Sequence, residues 1–170
     1  MKKLLLTALA VVGFVVSSNA QEKPRFGVTA GYINTTIKVS GDGMSASVDE
    51  SGFFVGANAD FKLSDVLHVQ PAVLYASVDE ADFLHIPIMF KYYVAEQFNI
   101  QAGPQGSLFL EDTEDTINSF GLDLGAGLGY DINENFFVEA RYAFELTNRT
   151  PDFDAKTRIN TLQIGVGYRF

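Results

Sequence analysis

Eight segments of this 170-residue chain alternate with a period of two, and one of the two faces of each carries no charge, in the last from Leu162 onward. The segments are 26–37, 52–62, 66–77, 83–94, 98–110, 119–130, 136–146 and 157–170. They are rich in Val, Ile, Phe and Tyr and are bounded by turn residues, which is the signature of β-strands. The charge-free face runs through Phe26, Val28, Ala30 and Tyr32, then Phe53, Val55 and Ala57. It continues through Phe90, Leu124, Leu128, Val138, Tyr142, Ile164 and Val166. The opposite face holds Asp60, Lys91, Asp123, Glu139, Arg141, Glu145 and Arg169, with His68, His85, several Gln and many Gly.

Such a pattern arises when one face must avoid charge absolutely. An Arg or Lys turned toward the centre of a bilayer from a β-barrel costs about 2–4 kcal/mol. A soluble sandwich or closed soluble barrel also alternates, but buries its apolar face. Three features favour the membrane. The charge-free face is too bulky and aromatic for the narrow interior of eight strands. Glycines at 121, 125, 127, 129, 165 and 167 thin the other face and leave room for long polar side chains. Aromatic residues also gather at the segment ends, as in interfacial girdles. Phe26, Phe61, Tyr92, Phe98, Tyr130, Phe136, Tyr168 and Phe170 mark one end; Tyr32, Phe53, Tyr75, Phe120 and Phe144 mark the other.

The connections alternate in length. Short turns at 63–65, 95–97 and 131–135 contrast with longer links at 38–51, 78–82, 111–118 and 147–156. The expected fold is therefore an all-β, eight-stranded, antiparallel up-and-down transmembrane barrel, with tight periplasmic turns and larger outer loops. Each segment is long enough for a tilted span of about 9–11 residues.

Residues 1–20 read as a cleaved signal peptide: a basic start at Lys2 and Lys3, an apolar run from Leu4 to Val16, and small residues at Ser18 and Ala20. Residues 21–170 then form one barrel domain. The chain has no cysteine, so no disulfide holds it after export, and lipidation at the cleavage site is excluded. The formal charge is −9, or −11 once Lys2 and Lys3 are removed (−9 − 2). That acidity argues against nucleic acid as a partner.

The residues Leu84-His85-Ile86-Pro87-Ile88-Met89-Phe90-Lys91-Tyr92-Tyr93 resemble the fourth strand of the small outer-membrane β-barrel family whose members are often called porin-family proteins, common in Bacteroidota. Ala102-Gly103-Pro104 resembles its fifth strand. Phe136 to Tyr142 and Ile164 to Phe170 resemble its last two. The resemblance covers 21–170. It implies an outer-membrane location, lipid as surroundings, and the outer-membrane assembly machinery as a partner, with the terminal aromatic Phe170 as the assembly signal. A monomer is expected.

No catalytic constellation is visible. His85 with Ser77 or Asp79 is only a weak echo of an activated nucleophile. Two histidines without cysteine make a zinc site improbable. No cofactor is implied. The best polar cluster is a lumen network of Lys91, Asp123, Glu139 and Arg141, read as a structural plug, with a gated ion path or proton relay as the alternative. The acidic loop Glu111-Asp112-Thr113-Glu114-Asp115 reads as a solvated tip, or as a divalent-cation site. The expected role is non-enzymatic: surface structure, adhesion or envelope integrity through the outer loops. The alternative is a porin-like channel for small solutes or a small-ligand-binding barrel.

Overall fold

A computed structural model describes residues 23–41, 44–79, 81–110, 118–149 and 156–170. The signal peptide, the acidic loop at 111–115 and the loop carboxylates Asp42, Glu80, Asp152 and Asp154 lie outside the described residues. Eight strands close into one antiparallel barrel in sequence order. They are β1 (Arg25–Gly41), β2 (Met44–Lys62), β3 (Leu67–Val78), β4 (Ala81–Tyr93), β5 (Phe98–Phe109), β6 (Phe120–Asp131), β7 (Phe136–Glu145) and β8 (Lys156–Arg169). β1 pairs with both β2 and β8, so no edge is left along the spanning section.

Each strand pair keeps one register along its length. Following the registers from Arg25 through Asp60, Gln70, Met89, Gly103, Gly125, Ala143 and Thr161 leads back to Thr35, ten residues (35 − 25) further along β1. With about 3.3 Å per residue and about 4.8 Å between strands, that stagger tilts the strands by about 40°. Twelve-residue strands such as β3, β5 and β6 then rise about 30 Å, enough to cross the hydrocarbon of a bilayer.

The charge-free stripe points outward. Phe90, Leu124, Ile164 and Val166 are all about half exposed, while Lys91, Gln101, Asp123 and Arg141 are buried. Both aromatic rings are in place on the outer wall. At the short-turn end Phe136 packs edge-on against Tyr168, and Tyr168 against Phe170, with centroids 4.9 and 5.5 Å apart.

Two of the three short turns at that end are closed by side chains. In the β2–β3 turn Ser64 Oγ accepts from the amide of Leu67 at 3.1 Å. In the β6–β7 turn Asn133 Oδ1 accepts from the amides of Asn135 and Phe136 at 2.9 and 2.8 Å. Such loops back onto the local backbone are what short Asn and Ser side chains favour.

Two of the links expected to be long differ. Residues 38–41 and 44–51 are not loop: β1 and β2 stay paired up to Gly41↔Met44. Above the membrane the outward face no longer needs to be apolar, so hydrophobic alternation fades while backbone pairing continues. β8 supports this extension, with Lys38 opposite Arg158 and Val39 opposite Thr157. The 78–82 link is a tight hairpin in which Val78 pairs with Ala81. Asp79 has φ of 54°, a left-handed conformation that Asp tolerates and two-residue hairpins require.

The interior is not uniformly polar. Ile33, Phe54, Ala72, Leu74, Ala76, Val78 and Phe83 form a buried apolar cluster on the inner wall of β1–β4 at the loop end. The alternating sequence assigns that wall to polar and small residues; the cluster is a correction to it. Some inward glycines accordingly seat aromatic rings rather than polar chains. A Cβ on Gly167 would stand 2.1 Å from Cζ of Phe137, and one on Gly165 would stand 2.6 Å from Cζ of Phe54.

The barrel lumen as candidate functional site

Inward positions on neighbouring strands meet at angles set by the strand tilt, and this sorts the ionic side chains into three tiers. At the short-turn end Asp60 is the hub. Its Oδ1 lies 2.6 Å from Nδ1 of His68, and its Oδ2 lies 3.9 Å from both Lys91 Nζ and Arg169 Nε. Arg169 also donates from Nη2 to Asp131 at 2.8 Å, and Tyr93 donates its hydroxyl to the other Asp131 oxygen at 2.9 Å. The ring of Phe137 sits beneath both cations, 5.2 Å from Lys91 Nζ and 4.4 Å from the Arg169 guanidinium carbon. Both cations gain from the ring's quadrupole. Outside this tier a cavity of about 530 Å³ opens to the barrel end, lined by Arg25, Lys62, His68, Tyr93 and Asp131 among others.

The middle tier holds Glu139 and Arg141, two residues apart on β7, with Arg141 Nη2 donating to Glu139 at 2.7 Å. Gln101 donates to Asn99 at 3.0 Å beside them.

At the loop end Asp123 accepts from Gln105 at 3.0 Å, and the same Gln105 nitrogen lies 3.3 Å from His85 Nδ1. His85 stacks on Phe83, with centroids 5.8 Å apart, at the border with the apolar cluster. Glu145, wholly buried, meets Arg149 at 2.7 Å. Arg149 also donates to Ser107 Oγ at 2.7 Å and to the Ser119 carbonyl at 3.1 Å. Glu145 further accepts from the amide of Ile159, and Asn160 accepts from the amide of Glu145. These side chains take over where the backbone ladder between β7 and β8 stops, at Ala143↔Thr161.

The four residues expected to share one network are all buried; Glu139 interacts with both Arg141 and Lys91, while Asp123 stands apart. Glu139 and Arg141 pair with each other. Lys91 faces Asp60, and Asp123 faces Gln105. The stagger between strands separates residues that sequence counting places at one depth. Asp60, Glu145 and Arg169 were legible as members of the inward face, though not as hubs. Arg149 was not legible: it follows the last residue of β7 and reads as loop, and only the buried carboxylate of Glu145 draws it inward.

Among the described residues the buried charges balance. Asp60, Asp123, Glu139 and Glu145 stand against Lys91, Arg141, Arg149 and Arg169. The acidity of the chain therefore resides outside the lumen. Among the described residues no group of three or more His, Asp or Glu could hold a metal ion, and no helix is long and apolar enough to cross a membrane.

A closed antiparallel barrel with an apolar outer wall, two aromatic rings and a charge-filled interior defines a small transmembrane β-barrel. The comparisons place it. The family described as the outer membrane protein beta-barrel domain matches residues 6–170, and the chain belongs to that family. It is an outer-membrane protein. No curated protein is significantly similar in sequence. Among solved structures, the fold is similar to Ail, the attachment invasion locus protein of Yersinia pestis. Identity there is 18%, over 88% of this chain and 100% of that one, with a TM-score of 0.53. It is also similar to Neisserial surface protein A, at 21% identity over 88% of this chain and 100% of that one, with a TM-score of 0.52.

Proposed function

We propose that this barrel is a non-enzymatic anchor that serves surface structure, adhesion or envelope integrity through what it carries above the outer rim. One observation carries this reading: the buried lumen charges number four of each sign, and all but Asp123 lie against an opposite charge. Selective pores use rings of one charge sign around an open path. Here the buried Phe137 ring and the apolar cluster around Phe54 and Leu74 stand on the inner wall at two levels instead. The β1–β2 hairpin, by contrast, continues beyond the rim as an exposed ribbon on which Val39 and Val48 are open to solvent. The names of Ail and Neisserial surface protein A tie those proteins to attachment and to the cell surface, in keeping with this role.

Planar-bilayer recording of the refolded barrel tests it. No steady open pore is expected; a large, constant conductance would overturn the anchor reading. The small-ligand reading draws on the cavity of about 530 Å³ at the periplasmic mouth. It requires saturable binding there that leaves conductance unchanged.

Phe170 is proposed as the signal read by the assembly machinery. Its ring is exposed in the periplasmic girdle, and its amide bonds to the Phe26 carbonyl at 2.8 Å where the barrel closes. Deleting Phe170 is expected to lower the amount reaching the outer membrane several-fold in cells. Refolding of the purified chain in detergent should be nearly unaffected. Equal losses in both settings would assign Phe170 to stability alone.

A further inference from the structure

We propose that the outer end of the β1–β8 seam is a binding site for the phosphate groups of an outer-leaflet glycolipid. This rests on the outer-membrane location and not on the role proposed above.

Lys38 and Arg158 are direct cross-strand neighbours on β1 and β8, and both belong to the outward set of their strands. Like charges placed directly opposite one another repel and weaken a sheet. An anion between them reverses the sign of that interaction. The nearest carboxylate on the adjoining strand, Asp49, is engaged by the Thr36 hydroxyl at 2.5 Å rather than by Lys38. The described carboxylates at this end, Asp49, Glu50, Asp79 and Asp82, lie on β2 and at the β3–β4 hairpin rather than on β8.

The depth is right for a headgroup. The Arg158 guanidinium carbon lies 5.8 Å from the ring centre of Phe144, a member of the outer aromatic girdle. The girdle marks the edge of the hydrocarbon, so the guanidinium sits just beyond it, at the level of lipid phosphates. The ring also holds the guanidinium in place, lowering the ordering cost of binding.

One donor of this pair, Arg158 Nε, has no protein partner. A buried donor left unpaired is costly, and a phosphate ester offers acceptor oxygens in the geometry that guanidinium favours. Charge, an unpaired donor and depth thus converge on one ligand chemistry, a phosphomonoester on a membrane-anchored sugar.

The test uses the full mature barrel folded in maltoside micelles. Native mass spectrometry counts bound lipid during titration with a bisphosphorylated acyl-glucosamine disaccharide and with its dephosphorylated form. Tighter binding of the phosphorylated lipid by at least tenfold is expected. The double variant Lys38→Gln/Arg158→Gln should lose that preference, while Lys38→Arg/Arg158→Lys should retain it. Boiling-dependent gel mobility verifies that every variant is folded. A parallel titration with inorganic phosphate separates the sources: failure of millimolar phosphate to compete supports a lipid-borne ligand, whereas full competition with no lipid preference overturns it. Equal binding of both lipids by the native chain, or an unchanged preference in the Gln variant, also overturns the proposal.

Discussion

Replacing Arg149 with methionine is expected to cost the folded barrel about 3–5 kcal/mol, the usual penalty for leaving a buried charge without its partner. Arg149 is the counter-ion of Glu145 and also ties Ser107 and the Ser119 carbonyl to the outer end of β7. Glu145 is 0% exposed, so water cannot replace the lost guanidinium without opening the seam between β7 and β8. Urea unfolding in detergent micelles measures the loss. The chain has no tryptophan, so far-ultraviolet circular dichroism is the natural probe. The double variant Glu145→Gln/Arg149→Met should recover a large part of the deficit, since it removes both charges. A single-variant loss below about 1 kcal/mol would mean that this pair is solvated like a surface bridge.

The second large effect belongs to the outer wall. Val166→Arg is expected to destabilise the barrel by about 2–4 kcal/mol in a lipid bilayer, because Val166 lies between the two girdles with its side chain on the lipid face. Ser77→Arg, on the same face but at the outer end of β3, should cost only about 0–1 kcal/mol. Unfolding free energies in vesicles of defined thickness compare the two. Small and equal costs at both positions would show that the apolar stripe does not meet hydrocarbon. The contrast separates lipid contact from generic surface tolerance, since both positions are exposed to the outside of the same sheet.

The two predictions draw on different kinds of legibility. Val166 could be assigned to the lipid face by alternation alone, because a single intolerable charge position repeats every second residue through Leu162, Ile164 and Tyr168. Arg149 could not be assigned at all. Its neighbours Asn148 and Thr150 look like loop, and nothing local says that its side chain turns back into the tube. The same limit applies to Lys91. Its inward direction follows from Phe90 and Tyr92 on either side, yet its partner Asp60 sits on β2, two strands away. The extension of β1 and β2 above the rim was missed for a related reason. Sequence alternation reports the solvent on each face, and both faces of a ribbon in water can be polar.

Lipid excludes charge, and that one rule, written into every second residue, determined the number of strands, their direction of facing and the membrane that surrounds them. The tertiary structure alone decided which acid meets which base. Those partners lie on different strands, and the ten-residue stagger accumulated around the closed barrel, a property of backbone pairing rather than of any segment, sets the depth at which each inward side chain arrives.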